Sequence, residues 1–190
     1  MRLKAWIAGL AMVFLAMPSL FAGPASAAEK TFSENEIVQK ADAFFGSTTE
    51  GLAEAIRKVF SDLGEPNAYV EGEEVSGAIV VGLRYGEGTL YMKNGAPATK
   101  LYWQGPSVGF DWGGNAAKVF TLIYDLPNES AIFQRFPGVE GSAYFVAGVG
   151  VNYQRGSGIT LAPIRTGGGL RLGANIGYLH YNREHSWNPF

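Results

Sequence analysis

The sequence predicts an α+β fold, mostly antiparallel β, in which two N-terminal helices precede a tightly curved sheet. Three observations carry that prediction. The stretch from Gly141 to Tyr181 alternates with period two: Ala143, Phe145, Ala147, Val149, Val151 and Tyr153 fall on one face of a strand, and Leu170, Leu172, Ala174, Ile176 and Tyr178 share a face of another. Glycine recurs on the opposing faces, at Gly148, Gly150, Gly173 and Gly177. In a strand it marks a bend, a bulge or a close backbone approach. Two apolar stripes of helical spacing lie upstream, between Ile37 and Leu63. Glycine repeated along long strands predicts a sheet that closes, or nearly closes, into a small barrel. Replacing Gly150 with Val is then expected to overpack it by about 1–3 kcal/mol.

The first residues stand apart from this fold. Arg2 and Lys4 form a positive region, Ala5 to Met17 is apolar, and Ala25-Ser26-Ala27 fits the small-residue rule for signal peptidase. A membrane-spanning helix needs about 20 apolar residues, more than this run supplies. Residues 1–27 therefore read as a signal peptide cleaved between Ala27 and Ala28, which exports the chain. A helical segment (28–66) and an antiparallel β segment (67–190) follow, packed as one domain.

The chain holds 15 basic and 17 acidic residues, a formal net charge of −2, with its basic residues dispersed. Nucleic-acid binding needs them clustered, so that partner is excluded. Cysteine is absent, which removes disulfides, thiol nucleophiles, zinc–thiolate sites and lipoprotein anchoring.

Taken in order, Ser33-Glu34-Asn35-Glu36 is a capping box that opens a helix with the stripe Ile37, Val38, Ala41, Phe44 and Phe45, ended by Gly46. Ser47-Thr48-Thr49-Glu50 opens a second, whose Leu52, Ile56, Val59, Phe60 and Leu63 face one way before the stop at Gly64 and Pro66. Because its polar face mixes both charges, this helix is expected to cover the sheet rather than lie on a membrane. Short strands and turns are predicted from Asn67 onward. Glu71-Gly72-Glu73-Glu74 reads as a solvated turn, and Gly86-Glu87-Gly88 and Gly113-Gly114 as further turns. Gly105-Pro106 reads as a break, Asn94-Gly95 as a hairpin turn, and Glu129 to Phe136 as a short helix.

Few residues carry chemistry. If the last strand continues through His180 and His185, the two point to opposite faces and cannot share a metal. No serine sits in a nucleophile elbow, and no phosphate loop is complete. No catalytic residue, metal site or cofactor is therefore assigned. Asp111 and Arg155 are the most suggestive polar pair, either joined to each other or with Arg155 free to meet an anionic ligand. Phe110, Trp112 and Tyr153, with Arg155 for an anionic head group, are the candidate ligand-binding residues. An integral outer-membrane barrel is excluded by the polar series His180, Asn182, Glu184, Ser186 and Asn188 that precedes Phe190.

The runs Trp103 to Asp111 (WQGPSVGFD), Gly148 to Arg155 (GVGVNYQR) and Leu161 to Arg165 (LAPIR), with the segment Gly167 to Tyr178, resemble the EipA-type (envelope integrity protein A) family of Gram-negative bacteria. The resemblance covers nearly all of the chain after Ala27. It implies a periplasmic protein that folds as a small soluble antiparallel β-barrel with N-terminal helices and maintains the cell envelope under stress. It carries over no catalytic residue. The G-P-S-V-G strand is also distantly similar to SYLF-type lipid-binding domains, which points to an apolar ligand. The expectation is a non-enzymatic envelope factor that binds lipid, cell-wall material or a protein partner. The alternative is a hydrolase of an envelope polymer, which would need two carboxylates in one cleft.

Overall fold

A computed structural model describes residues 30–46, 50–139, 142–146, 148–166 and 177–188; for 76–81 and 107–115 it describes the backbone alone. The predicted signal peptide with its expected cleavage site at Ala27 and Ala28, the predicted capping residues Ser47 to Thr49, and residues 170–176 of the strand predicted from Leu170 to Tyr178 lie outside these residues. Among the described residues two helices, α1 (Glu34–Phe45) and α2 (Glu50–Leu63), precede eight strands. These are β1 (Ala68–Met92), β2 (Thr99–Tyr124), β3 (Arg135–Pro137), β4 (Tyr144–Val146), β5 (Val149–Val151), β6 (Gln154–Gly156), β7 (Ile159–Thr166) and β8 (Tyr178–Asn182), all paired antiparallel in one sheet. No helix among the described residues is long and apolar enough to cross a membrane.

The helices form as their caps dictate. Ser33 Oγ accepts from Glu36 N, Glu36 Oε2 accepts from Ser33 N at 2.9 Å, and Gly46 and Gly64 end α1 and α2 at φ 86° and 78°. Lys118 of β2 donates to the Phe44 carbonyl at 2.8 Å, satisfying one of the orphan acceptors at the end of α1. Ile37, Ala41, Leu52, Ile56 and Val59 are buried against Tyr69, Phe120, Leu122, Ala162 and Ile164. The amphipathic stripes thus cover the outer face of the sheet.

Glu36 also accepts from Lys93 Nζ at 2.7 Å, tying α1 to the β1–β2 turn. The Lys93 bond, then the Ser33 N–H, lower its pKa from 4.5 to about 2. Since the folded value is depressed, this contribution is complete above the unfolded value and is lost as pH falls toward 2. Glu36→Gln is therefore expected to flatten the decline in urea midpoint between pH 4.5 and 2. Equal slopes in variant and wild type would contradict the assignment.

The Asn94-Gly95 turn joins β1 to β2 as expected, but the strands it joins are much longer than the sequence pattern indicates. At about 3.3 Å per residue the 25 residues of β1 would extend roughly 80 Å. Its ends nevertheless meet, because Lys93 N donates to Asn67 O at 3.1 Å and β1 crosses itself at Gly72 and Gly88. The predicted turns at Glu71–Glu74, Gly86–Gly88 and Gly113-Gly114 and the predicted break at Gly105-Pro106 all lie inside β1 or β2. Glycine here bends a paired strand instead of ending it, assisted by a register shift between Ser76 and Ala78. Pro106 is tolerated just beyond the last β2–β8 pair, Gln104–His180.

Two further expectations are corrected. The run Ala143 to Tyr153 is not one strand: β4 and β5 form a hairpin, Phe145 opposite Gly150, turning beside Gly148 at φ 85°. The helix predicted over Glu129 to Phe136 is a single 3-10 turn (Glu129–Ile132) capped by Asn128, after which Phe136 enters β3 as a buried side chain.

One long edge of β2 pairs with β1; the other pairs with β7 near its end and β8 near its start. β3 continues from β8, and a Gly138–Gln154 bridge joins it to β6, which pairs with β7. Together with the crossing in β1, these pairings wrap the sheet into a barrel-like form. Strand alternation then separates two cores: residues such as Phe120 and Leu122 face the helices, while Val70, Leu90, Leu101, Val119, Ile123, Leu161 and Leu179 face the interior.

Candidate functional site

The interior is apolar at one level and charged at the next. On β1, Glu74 has the parity of Ala68 and Val70, and Arg84 that of Leu90; on β7, Arg165 has the parity of Ile159 and Leu161. Period two therefore turns all three charges inward. Glu74 and Arg84 are 1% and 2% exposed. Arg165 Nε donates to Glu74 Oε1 at 3.3 Å, and Trp103 Nε1 donates to Glu74 Oε2 at 2.9 Å. Arg165 Nη1 donates to Asn152 Oδ1 at 2.6 Å, and Arg84 Nη2 to the Pro106 carbonyl at 3.4 Å. The Trp103 ring lies over Gly72, Gly86 and Gly88, whose missing Cβ atoms make room for it.

Burial pushes the Glu74 carboxyl up, but the Arg165 and Arg84 guanidiniums and the Trp103 N–H outweigh it and hold its pKa below the ordinary value. The Tyr181 phenol beside them is pushed up to about 12, mainly by burial. Glu74 thus serves as the counter-ion of Arg165. Among the described residues it is the one acidic side chain in the buried set. The arrangement can fix the barrel wall by joining β1, β2 and β7.

Sequence reasoning missed this layer. It assigned Glu74 to a solvated turn and treated Arg84 and Arg165 as two of the dispersed basic residues. The available signal was parity: Glu74 continues the inward series of Ala68, Val70 and Gly72 once β1 is taken as unbroken.

Of the sequence-predicted residues, Tyr153 and Arg155 lie elsewhere. Tyr153, between β5 and β6, donates to Asp62 Oδ2 at 2.6 Å, and its ring meets Tyr144 edge-on at 6.1 Å. Burial, then the bond to Asp62, raises its phenol pKa far above the ordinary value. Asp62 also pairs with Lys58 at 3.0 Å, so Tyr153 fastens the end of α2 to the sheet. Arg155 is exposed on β6, and its Nε donates to Thr160 Oγ1 at 3.1 Å. Thr160 stands opposite Tyr124, at the end of β2. Phe110 and Asp111 pair through the backbone with Ile79 and Ala78 farther back along β2. The side chains of Phe110, Asp111 and Trp112 lie outside the described residues. His180 is on β8, which ends at Asn182, so His185 is beyond the strand; its ring lies 4.4 Å from that of Trp187. No group of three potential metal-binding side chains occurs among the described residues.

Comparison with known proteins places the chain. A search of curated proteins found no match. A solved structure from Brucella abortus, described as a beta-barrel-like, uncharacterized protein, is similar at 50% sequence identity and a TM-score of 0.76, covering 85% of this chain and all of that one. The family model for EipA, envelope integrity protein A, matches residues 30–190, which is the helices and the whole curled sheet. The chain belongs to the envelope integrity protein A family.

Proposed function

We propose that this protein is a periplasmic, non-enzymatic envelope-integrity factor, exported by a signal peptide cleaved between Ala27 and Ala28, that works by binding lipid, cell-wall material or a protein partner. The observation that supports binding over turnover is the interior layer. Its described carboxylate, Glu74, is engaged by Arg165 and by the Trp103 N–H, and two carboxylates sharing a cleft, the requirement for hydrolysing an envelope polymer, are not brought together among the described residues. Phe110, Trp112 and Tyr153, with the exposed head of Arg155 for an anionic group, remain the proposed contact residues.

The test is complementation of an envelope-stress defect by Trp112→Ala and Arg155→Ala, each checked for folding by circular dichroism. At least one folded variant is expected to lose both complementation and capture of envelope material. A measurable hydrolysis of peptidoglycan or lipid that Asp111→Asn or His180→Ala abolishes would overturn the reading.

A further inference from the structure

Strand parity places Trp103 inside the barrel, so Tyr102 and Gln104 on β2 point outward, as do their partners Glu87 and Tyr85 on β1. Beyond β8 the chain turns back over this outer face. Tyr85 Oη donates to the Trp187 carbonyl at 3.0 Å, and Gln104 Nε2 donates to the Asn188 carbonyl at 3.2 Å. Gln104 is itself held by Asn182 Nδ2, which donates to its Oε1 at 3.0 Å. The backbone at Trp187 is thus pinned to the sheet, yet the residue is 75% exposed. Its ring lies 4.4 Å from that of His185 and 5.4 Å from that of Tyr85, inclined at 64° and 58°, and the His185 ring meets Tyr102 at 5.7 Å. Neither neighbour stacks flat on the indole, which keeps an open face held in a fixed place.

Polar groups are interleaved with these rings. Glu87 pairs with Lys100 at 3.3 Å, and Lys100 Nζ sits 5.4 Å from the centre of the Tyr102 ring. The pair carries no net charge, which disfavours a purely ionic ligand. A lipid surface calls for a contiguous apolar patch, but the other exposed large apolar side chains among the described residues, Val75, Val139 and Phe145, belong to other segments. A sugar ring matches better, because it offers an apolar C–H face to an aromatic ring and hydroxyls to the polar groups around it.

We propose that this outer face binds an uncharged oligosaccharide, one sugar ring stacking on the Trp187 indole, with His185, Tyr85 and Tyr102 framing it and Glu87 and Lys100 meeting hydroxyls at the rim. Pinning the indole before binding lowers the ordering cost that binding must overcome. The proposal rests on residues outside the contact set named above and is tested on purified protein, so it can fail while the complementation result stands.

Chitohexaose and maltohexaose, a β-linked and an α-linked chain, are titrated into the protein and binding is read by calorimetry. Saturable binding of at least one is expected. Trp187→Ala should weaken it about tenfold or more and leave the thermal midpoint unchanged, because the ring is exposed. Tyr85→Phe keeps the ring and removes the bond to the Trp187 carbonyl, so it should weaken binding by about threefold through lost preorganisation. Co-sedimentation with phosphatidylglycerol–phosphatidylethanolamine vesicles runs in parallel. Vesicle binding that Trp187→Ala abolishes, with neither sugar bound, would overturn the proposal in favour of a lipid interface. Failure of both sugars to bind, or equal sugar affinity in wild type and Trp187→Ala, would overturn it too.

Discussion

Glu74→Leu is expected to destabilise the protein by about 3–5 kcal/mol, measured as the loss of unfolding free energy in urea. The magnitude comes from what is left behind. Glu74 is 1% exposed and pairs with the Arg165 guanidinium, so its removal strands that charge in a largely buried setting. It also removes the acceptor of the Trp103 N–H. Replacing Glu74 and Arg165 together, as Leu and Met, should recover part of the loss, because an ion pair exchanged for apolar volume is often close to neutral. A loss below about 1 kcal/mol in the single variant, typical of exposed pairs, would show that water reaches the layer and screens it.

Gly88→Val is expected to cost about 3 kcal/mol, the upper end of the overpacking range, or to prevent folding. A Cβ at Gly88 would lie 2.5 Å from the Glu71 carbonyl oxygen and 3.1 Å from Gly72 Cα. Both obstacles are backbone, so no rotamer change relieves the clash, and separating them undoes the crossing that draws the ends of β1 together. Gly150 provides the contrast. Its substitution was expected to overpack the sheet, but a Cβ there would meet only the Phe145 ring edge at 3.0 Å, and Phe145 is 45% exposed and can swing aside. Gly150→Val should change stability by less than about 0.5 kcal/mol. Similar thermal midpoints for the Gly88 and Gly150 variants would mean that the crossing does not hold the barrel together.

The structure that could be read from the amino-acid pattern was local. The Ser33 capping box, the glycine stops at Gly46 and Gly64, the two apolar stripes and the Asn94-Gly95 turn each depend on residues within about one helical turn or one hairpin loop. The family was legible too, because whole runs of residues carry it. Tertiary structure alone decided where the strands end and what lies inside them. A glycine pair is a turn in isolation, but it is a bend in a continuous strand when Trp103 packs onto Gly86 and Gly88 from the facing strand. Glu74 is a solvated acid in its local sequence and a buried counter-ion once Arg165, 91 residues away, comes to lie beside it. Burial of a charge is set by the partner that balances it, and that partner is reached through the fold.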